Sequence, residues 1–158
     1  MKLEAYKSYK LLQKENYYKP SRLIAVGDIH GDVFKLNCLL EQINPTKNDT
    51  LVFLGDYIDR GENSKEVVER LLMLSQNTKC IFLKGNHENM LQNIIKFKSK
   101  EAYAHWYLSE GDKTLNSYGK FEEIQKLHGD FFKNLQDYYL TDDYLFVQAG
   151  IRRGKDLN

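Results

Sequence analysis

Three short apolar runs punctuate the chain: Leu23 to Val26, Leu51 to Leu54, and Ile81 to Leu83. Each carries β-branched or aromatic residues and lacks clean polar alternation. That pattern suits strands of a parallel sheet buried on both faces, and the runs are too short for buried helices. Between them, apolar positions recur at intervals of three and four. Val33, Leu36, Leu40 and Ile43 form one such stretch, and Val67, Val68, Leu71, Leu72 and Leu74 form the next. Both predict amphipathic helices. Asp32 stands where an N-cap belongs, and Asn63 with Glu66 has the spacing of a capping box. The predicted order is β-α-β-α-β, with right-handed crossovers.

The flanks are more helical. Residues 1–20 are rich in Tyr and Lys, and their spacing predicts a short N-terminal helical segment closed by Pro20. A long helical region is expected after Asn86, through Ile94, Ile95 and Phe97 and on from Ala102 to Leu108, ending at Gly111-Asp112. A break at Tyr118-Gly119 precedes two short helices, Phe121 to Leu127 and Phe131 to Leu135. Tyr144 to Val147 is a fourth strand candidate. The aromatic residues at helical spacing read as core, and Lys96, Lys98 and Lys100 read as a solvated face.

A length of 158 residues fits one domain with a real core. Lys and Arg number 23 against 22 Asp and Glu, so the basic excess of a nucleic-acid binder is missing. The apolar runs fall far short of the roughly 20 residues of a membrane span, and the N-terminus has no apolar leader. A soluble, cytoplasmic protein is the expectation. The two cysteines, Cys38 and Cys80, sit in apolar runs and read as buried thiols in a reducing compartment.

The chemistry lies directly after the three runs. The clusters are Gly27-Asp28-Ile29-His30-Gly31, Gly55-Asp56-Tyr57-Ile58-Asp59-Arg60-Gly61, and Gly85-Asn86-His87-Glu88. In an open α/β sheet, ligands bind beyond the C-terminal ends of the strands. Asp28, His30, Asp56 and Asn86 are therefore candidate metal ligands, Asp56 with two oxygens to share between ions. Spacing of two in an extended strand end aims Asp28 and His30 to one side. The mixed oxygen and nitrogen set suits Mn, Fe or Zn better than Ca or Mg. Two such ions about 3.5 to 4 Å apart form a clamp for phosphoester hydrolysis. Arg60 offers a planar charged fork for phosphate oxygens. His87 can give a proton to a leaving alkoxide, with its tautomer fixed by Asp59 or, less favoured, Glu88. His105 and His128, in helical contexts, read as structural.

These clusters resemble the signature of the calcineurin-like metallophosphoesterases, in particular the bacterial and phage serine/threonine protein phosphatases: GDxHG, GDxxDRG and GNHE. Leu115-Asn116-Ser117-Tyr118-Gly119 and the segment Tyr144 to Ile151 are similar to the bacterial branch as well. The resemblance implies an αββα sandwich, of which this chain carries mainly the first β-α-β-α-β sheet half, with residues 21–158 as a C-terminally incomplete domain. It implies that Asp28 and His30 ligate a first metal, that Asp56 bridges, and that Asn86 ligates a second. It makes Arg60 and Asn86 phosphate-binding and His87, paired with Asp59, the general acid. The implied reaction is phosphomonoester hydrolysis by metal-bound hydroxide, on phosphoserine and phosphothreonine in proteins.

In the family, a histidine ligand of the second metal stands in the segment that here reads Phe146-Val147-Gln148-Ala149-Gly150. Gln148 is a weaker candidate ligand than imidazole. The first site is therefore expected to fill, the second to be weak or empty, and turnover to be impaired. One sheet face is expected to need covering by a missing segment or a second copy. Alternatives of the same chemistry are a dinucleoside tetraphosphate hydrolase and a non-catalytic phosphate-binding remnant; the charge balance and intact motifs weigh against a metallonuclease.

Overall fold

A computed structural model describes residues 21–151 and 154, so the expected N-terminal helical segment lies outside the described residues. Three parallel strands, β1 (Leu23–Val26), β2 (Thr50–Phe53) and β3 (Lys79–Phe82), form a sheet in that order. Helix α1 (Val33–Ile43) joins the first pair and α2 (Ser64–Ser75) the second, giving the predicted β-α-β-α-β unit. Asp32 caps α1 by accepting the Lys35 N–H at 2.9 Å. Asn63, by contrast, makes no side-chain cap bond at α2. The Glu66 carboxylate accepts from the Ser117 hydroxyl instead.

Paired positions line up across the sheet: Ile24 with Leu51 and Cys80, Val26 with Phe53 and Phe82. These alternate residues join Leu36 and Leu40 of α1, Val67, Val68 and Leu71 of α2, and the helices that follow, in a single core. Because successive side chains point to opposite faces, the helices pack on one face of the sheet. The other face is less covered. Leu23 is 40% exposed and Ala25 is exposed, although Val52 is fully buried. The expectation of strands buried on both faces thus holds for β2 and fails for β1, which is an edge strand.

After β3 the helical region is broken into pieces. Helix α3 (Asn86–Phe97) ends where Lys98 turns left-handed, and α4 (Lys100–Trp106) follows with Ser99 as its cap. A wide π-type turn, Tyr107–Gly111, leads into α5 (Asp112–Tyr118). Its Glu110 has φ +70°. Gly111 is required there, because a Cβ would strike the Trp106 indole ring. The break at Tyr118-Gly119 is present, and the two short helices expected beyond it run within one hydrogen-bonded span, α6 (Phe121–Lys133), and are set apart by His128, whose backbone leaves the helical region at φ −131° and ψ 16°. His128 is buried and bonded to the Tyr118 hydroxyl at 2.6 Å, as a structural histidine. His105 is exposed on α4.

Two-residue strands β4 (Tyr139–Leu140) and β5 (Leu145–Phe146) pair antiparallel. The expected fourth strand is thus real but belongs to a separate hairpin. The thiol expectation needs correction: Cys38 is exposed on α1, and only Cys80 is partly buried, which pushes its thiol up to about 11. Among the described residues no helix is long and apolar enough to cross a membrane.

Candidate metal and phosphate site

The three strand-end loops are stitched to one another. In the first, the Ile29 and His30 N–H groups both donate to the Asp56 carbonyl, and Gly31 N–H donates to the Tyr57 carbonyl. The third loop is joined by one side chain. Glu88, in the first turn of α3 and fully buried, accepts from the backbone N–H groups of Asp56 and Tyr57 at 2.8 Å, of Ile58 at 3.3 Å and of Gly85 at 3.0 Å. Burial, followed by the charge of Asp56, pushes its carboxyl up to about 7, against the pull of those N–H donors. Gly85 has no room for a side chain, because a Cβ would meet the Asp56 carboxylate. Glu88 therefore belongs to the scaffold of the second loop and is not the partner of His87.

This stitching holds four side-chain-bearing residues in left-handed backbone: His30 at φ +47°, Asp56 at +52°, Asp59 at +68° and Arg60 at +66°. The extended strand end expected for Asp28 and His30 is therefore not what aims them. A turn at His30 does so. Its Nδ1 lies 3.0 Å from the Ile58 carbonyl, which can only accept, so Nδ1 carries the proton. Nε2 is then a bare lone pair. It is buried with no hydrogen-bond partner, 3.8 Å from both Asp28 Oδ2 and Asp56 Oδ2. A buried acceptor with two carboxylates and no donor fits a cation.

The ligand atoms of His30, Asp56 and His87 lie within 4.8 Å of one another, a cluster able to coordinate a single divalent ion. The His30 and His87 rings meet edge to face at 4.8 Å between centroids. Asp28 stands at the open rim, its side chain about half exposed. Asn86, also exposed, opens α3 beside the cluster.

His87 is held from behind. Its Nδ1 lies 2.8 Å from Asp59 Oδ2, and the Asp59 bond is the main cause of an imidazole pKa raised above its ordinary value. Asp59 is completely buried. Its Oδ2 also accepts from Trp106 Nε1 at 2.9 Å, and its Oδ1 accepts from the Thr114 hydroxyl at 2.6 Å. Trp106 and Thr114 were invisible to motif reading. They lie 47 and 55 residues further along the chain, and nothing in their local sequence marks them. Arg60 is on the surface, with its N–H on the Glu110 carbonyl and its Nε 3.4 Å from the Glu110 carboxylate.

Gln148 reaches the same place from beyond β5. Its Nε2 lies 3.1 Å from Asp56 Oδ2 and 3.1 Å from Asn86 Oδ1. Both neighbours are acceptors, so the amide nitrogen is the atom that belongs there; a carbonyl oxygen in its place would face two oxygens. The sequence offered Gln148 as a weak ligand through its oxygen, and here it is a donor. The residues present fit one ion at the His30, Asp56 and His87 cluster, with Asp28 Oδ2 3.8 Å from His30 Nε2 at its rim. Asp56 Oδ2 and Asn86 Oδ1 are both held by that amide.

The family model "Calcineurin-like phosphoesterase" matches residues 21–157. The serine/threonine-protein phosphatase 6 catalytic subunit of Caenorhabditis elegans is 37% identical over 84 residues, covering 50% of this chain and 25% of that protein. Serine/threonine-protein phosphatase with EF-hands 1 of Mus musculus is 28% identical over 170 residues, covering 98% of this chain and 23% of that protein. The chain thus spans about a quarter of the length of these curated relatives. A solved cold-active protein tyrosine phosphatase superposes with a TM-score of 0.59 at 19% identity, covering 84% of this chain and 44% of that one, a likeness of fold alone. With its parallel three-stranded sheet, flanking helices and His/Asp cluster, consistent with a partial αββα sandwich, the chain belongs to the calcineurin-like phosphoesterase family.

Proposed function

We propose that the chain descends from, and retains the one-metal half of, a phosphoprotein phosphatase of the bacterial and phage type that hydrolyses phosphoserine and phosphothreonine. The observation that carries this reading is the buried, unpartnered His30 Nε2 between Asp28 and Asp56, within reach of the His87–Asp59 pair. Asp28, His30 and Asp56 would hold the ion, with Mn, Fe or Zn favoured by the mixed donors. When bound, the ion neutralises phosphoryl charge and acidifies a water.

The other residues take these roles. Arg60 leaves its contact with Glu110 and grips phosphate oxygens with its fork. Asn86 donates its amide to the phosphate. His87 gives the proton on Nε2 to the leaving alkoxide, and Asp59 holds the opposite nitrogen. The Asp59 bond raises the His87 pKa, which favours the protonated ring. Gln148 leaves the second position empty, so turnover falls below that of a two-metal relative. A cytoplasmic setting, a protein substrate without nucleic acid or membrane, and a partner segment or second copy over the exposed β1 face complete the proposal.

The test is hydrolysis with added Mn of a phosphoserine peptide, a phosphotyrosine peptide and diadenosine tetraphosphate. Preferential release of phosphate from the phosphoserine peptide supports the proposal. Preference for the dinucleotide replaces it with the tetraphosphatase reading, and binding of peptide without product replaces it with the recognition-module reading.

A further inference from the structure

We infer that Thr114 and Trp106 are positioning residues for His87, acting through Asp59 from a segment that none of the three motifs includes. The inference deepens the proposed function and rests on it for the role of His87. Asp59 is fully buried, and its two carboxylate oxygens accept three hydrogen bonds. Oδ2 receives the His87 Nδ1–H and the Trp106 Nε1–H, and Oδ1 receives the Thr114 hydroxyl. With both oxygens pinned by separate donors, the carboxylate cannot rotate about its Cβ–Cγ bond. Oδ2 therefore stays aimed at His87 Nδ1, which keeps the proton on that nitrogen and turns Nε2 toward the site.

Thr114 does more than donate. Its hydroxyl oxygen also accepts the Asp59 N–H at 2.8 Å, closing a ring between side chain and backbone of one residue. Ser64 supports it, with its hydroxyl 2.9 Å from Thr114 Oγ1 and 3.2 Å from the Asp59 nitrogen. Since the Thr114 proton is used on Asp59, Ser64 is the donor in that pair. These bonds fix Asp59 at its positive φ. Trp106 is placed by the wide turn, whose Gly111 lets the backbone close against the indole ring. The whole bracket therefore depends on the path of the chain between α4 and α5.

The experiment is imidazole NMR on the full chain without metal. In the native chain His87 shows a slowly exchanging Nδ1–H, and His30 shows its own, bonded to the Ile58 carbonyl. Thr114→Val should speed exchange of the His87 proton about tenfold, as expected for one lost hydrogen bond. The His30 signal should not move, which separates loss of positioning from loss of fold. Thr114→Ser should restore the native signal. Trp106→Phe removes the N–H together with part of the buried ring system, and should shift His87 proton exchange in the same direction as Thr114→Val. An unchanged His87 proton in Thr114→Val, or no rescue by Thr114→Ser, would overturn the inference. Absence of hydrolysis by the native chain would count against the proposed function and leave the NMR result to decide this one.

Discussion

Gln148 Nε2 lies 3.1 Å from Asp56 Oδ2, an amide donor against a carboxylate at the place expected to hold a second-metal ligand. The amide dipole satisfies two acceptors, Asp56 and Asn86, that would otherwise demand a cation. The native chain should accordingly bind one divalent ion, and Gln148→His should add a second. Metal content after dialysis, with titration calorimetry, reads the difference. Two ions in the native chain would mean that the amide swings aside without cost.

His87 lies inside the ligand-distance cluster, yet its Nδ1 is bonded to Asp59. If it acts as the acid, His87→Asn should leave metal affinity within about twofold while kcat on a phosphoserine peptide falls about 100-fold or more. Activated aryl phosphates should suffer far less, since their leaving groups need no proton. Loss of the metal in His87→Asn would make His87 a ligand instead.

Arg60 and Glu110 form an ion pair with both side chains more than half exposed. If Arg60 takes its proposed role, Glu110 competes with phosphate for the guanidinium. Glu110→Gln should tighten inhibition by inorganic phosphate about two- to fivefold, the scale of an exposed pair, and the gain should shrink at high salt. Weaker phosphate inhibition would show that Glu110 orients Arg60 rather than occupying it.

Glu88 gathers four backbone N–H groups in a dry setting. Glu88→Ala should cost several kcal/mol, on the order of 1–3 for each donor left bare, and expression as folded protein should fail. Glu88→Gln retains one acceptor oxygen and should fold with a lower Tm. Thermal unfolding measures both.

Asp49 is buried beside the Arg22 guanidinium, 2.8 Å from Asp49 Oδ2, and that bond holds its carboxyl well below the usual range. A depressed acid contributes its stability above its unfolded pKa of about 3.9 and loses it as the pH falls toward the folded value. The Tm gap between the native chain and Asp49→Asn should be full at pH 6 and shrink steadily below about pH 4. A gap independent of pH would assign the effect to packing.

The β-α-β-α-β order was legible because each strand is a short apolar run and each following helix has its own periodicity. The site residues were legible because glycine-acid clusters fall directly after those runs. What escaped was tertiary. Two acids stood near His87 in the sequence, Asp59 the favoured partner and Glu88 the less favoured, and distance in space gives Glu88 to the backbone of residues 56–58. Gln148 offered both an oxygen and a nitrogen, and only its neighbours decide which faces the site. Asn63 and Glu66 have the letters of a capping box without its bonds, since Ser117 claims Glu66. Trp106 and Thr114 reach Asp59 across a turn that no local pattern announces.

His30, Asp56, Asp59 and Arg60 all occupy backbone that glycine would adopt more readily. Selection for heat resistance alone would consequently favour glycine at Arg60, whose side chain is exposed, and deliver a sturdier molecule without its guanidinium, whereas the three donors on the buried Asp59 carboxylate hold that position against the same drift. Any thermostabilisation campaign on this scaffold needs a chemical screen alongside the thermal one.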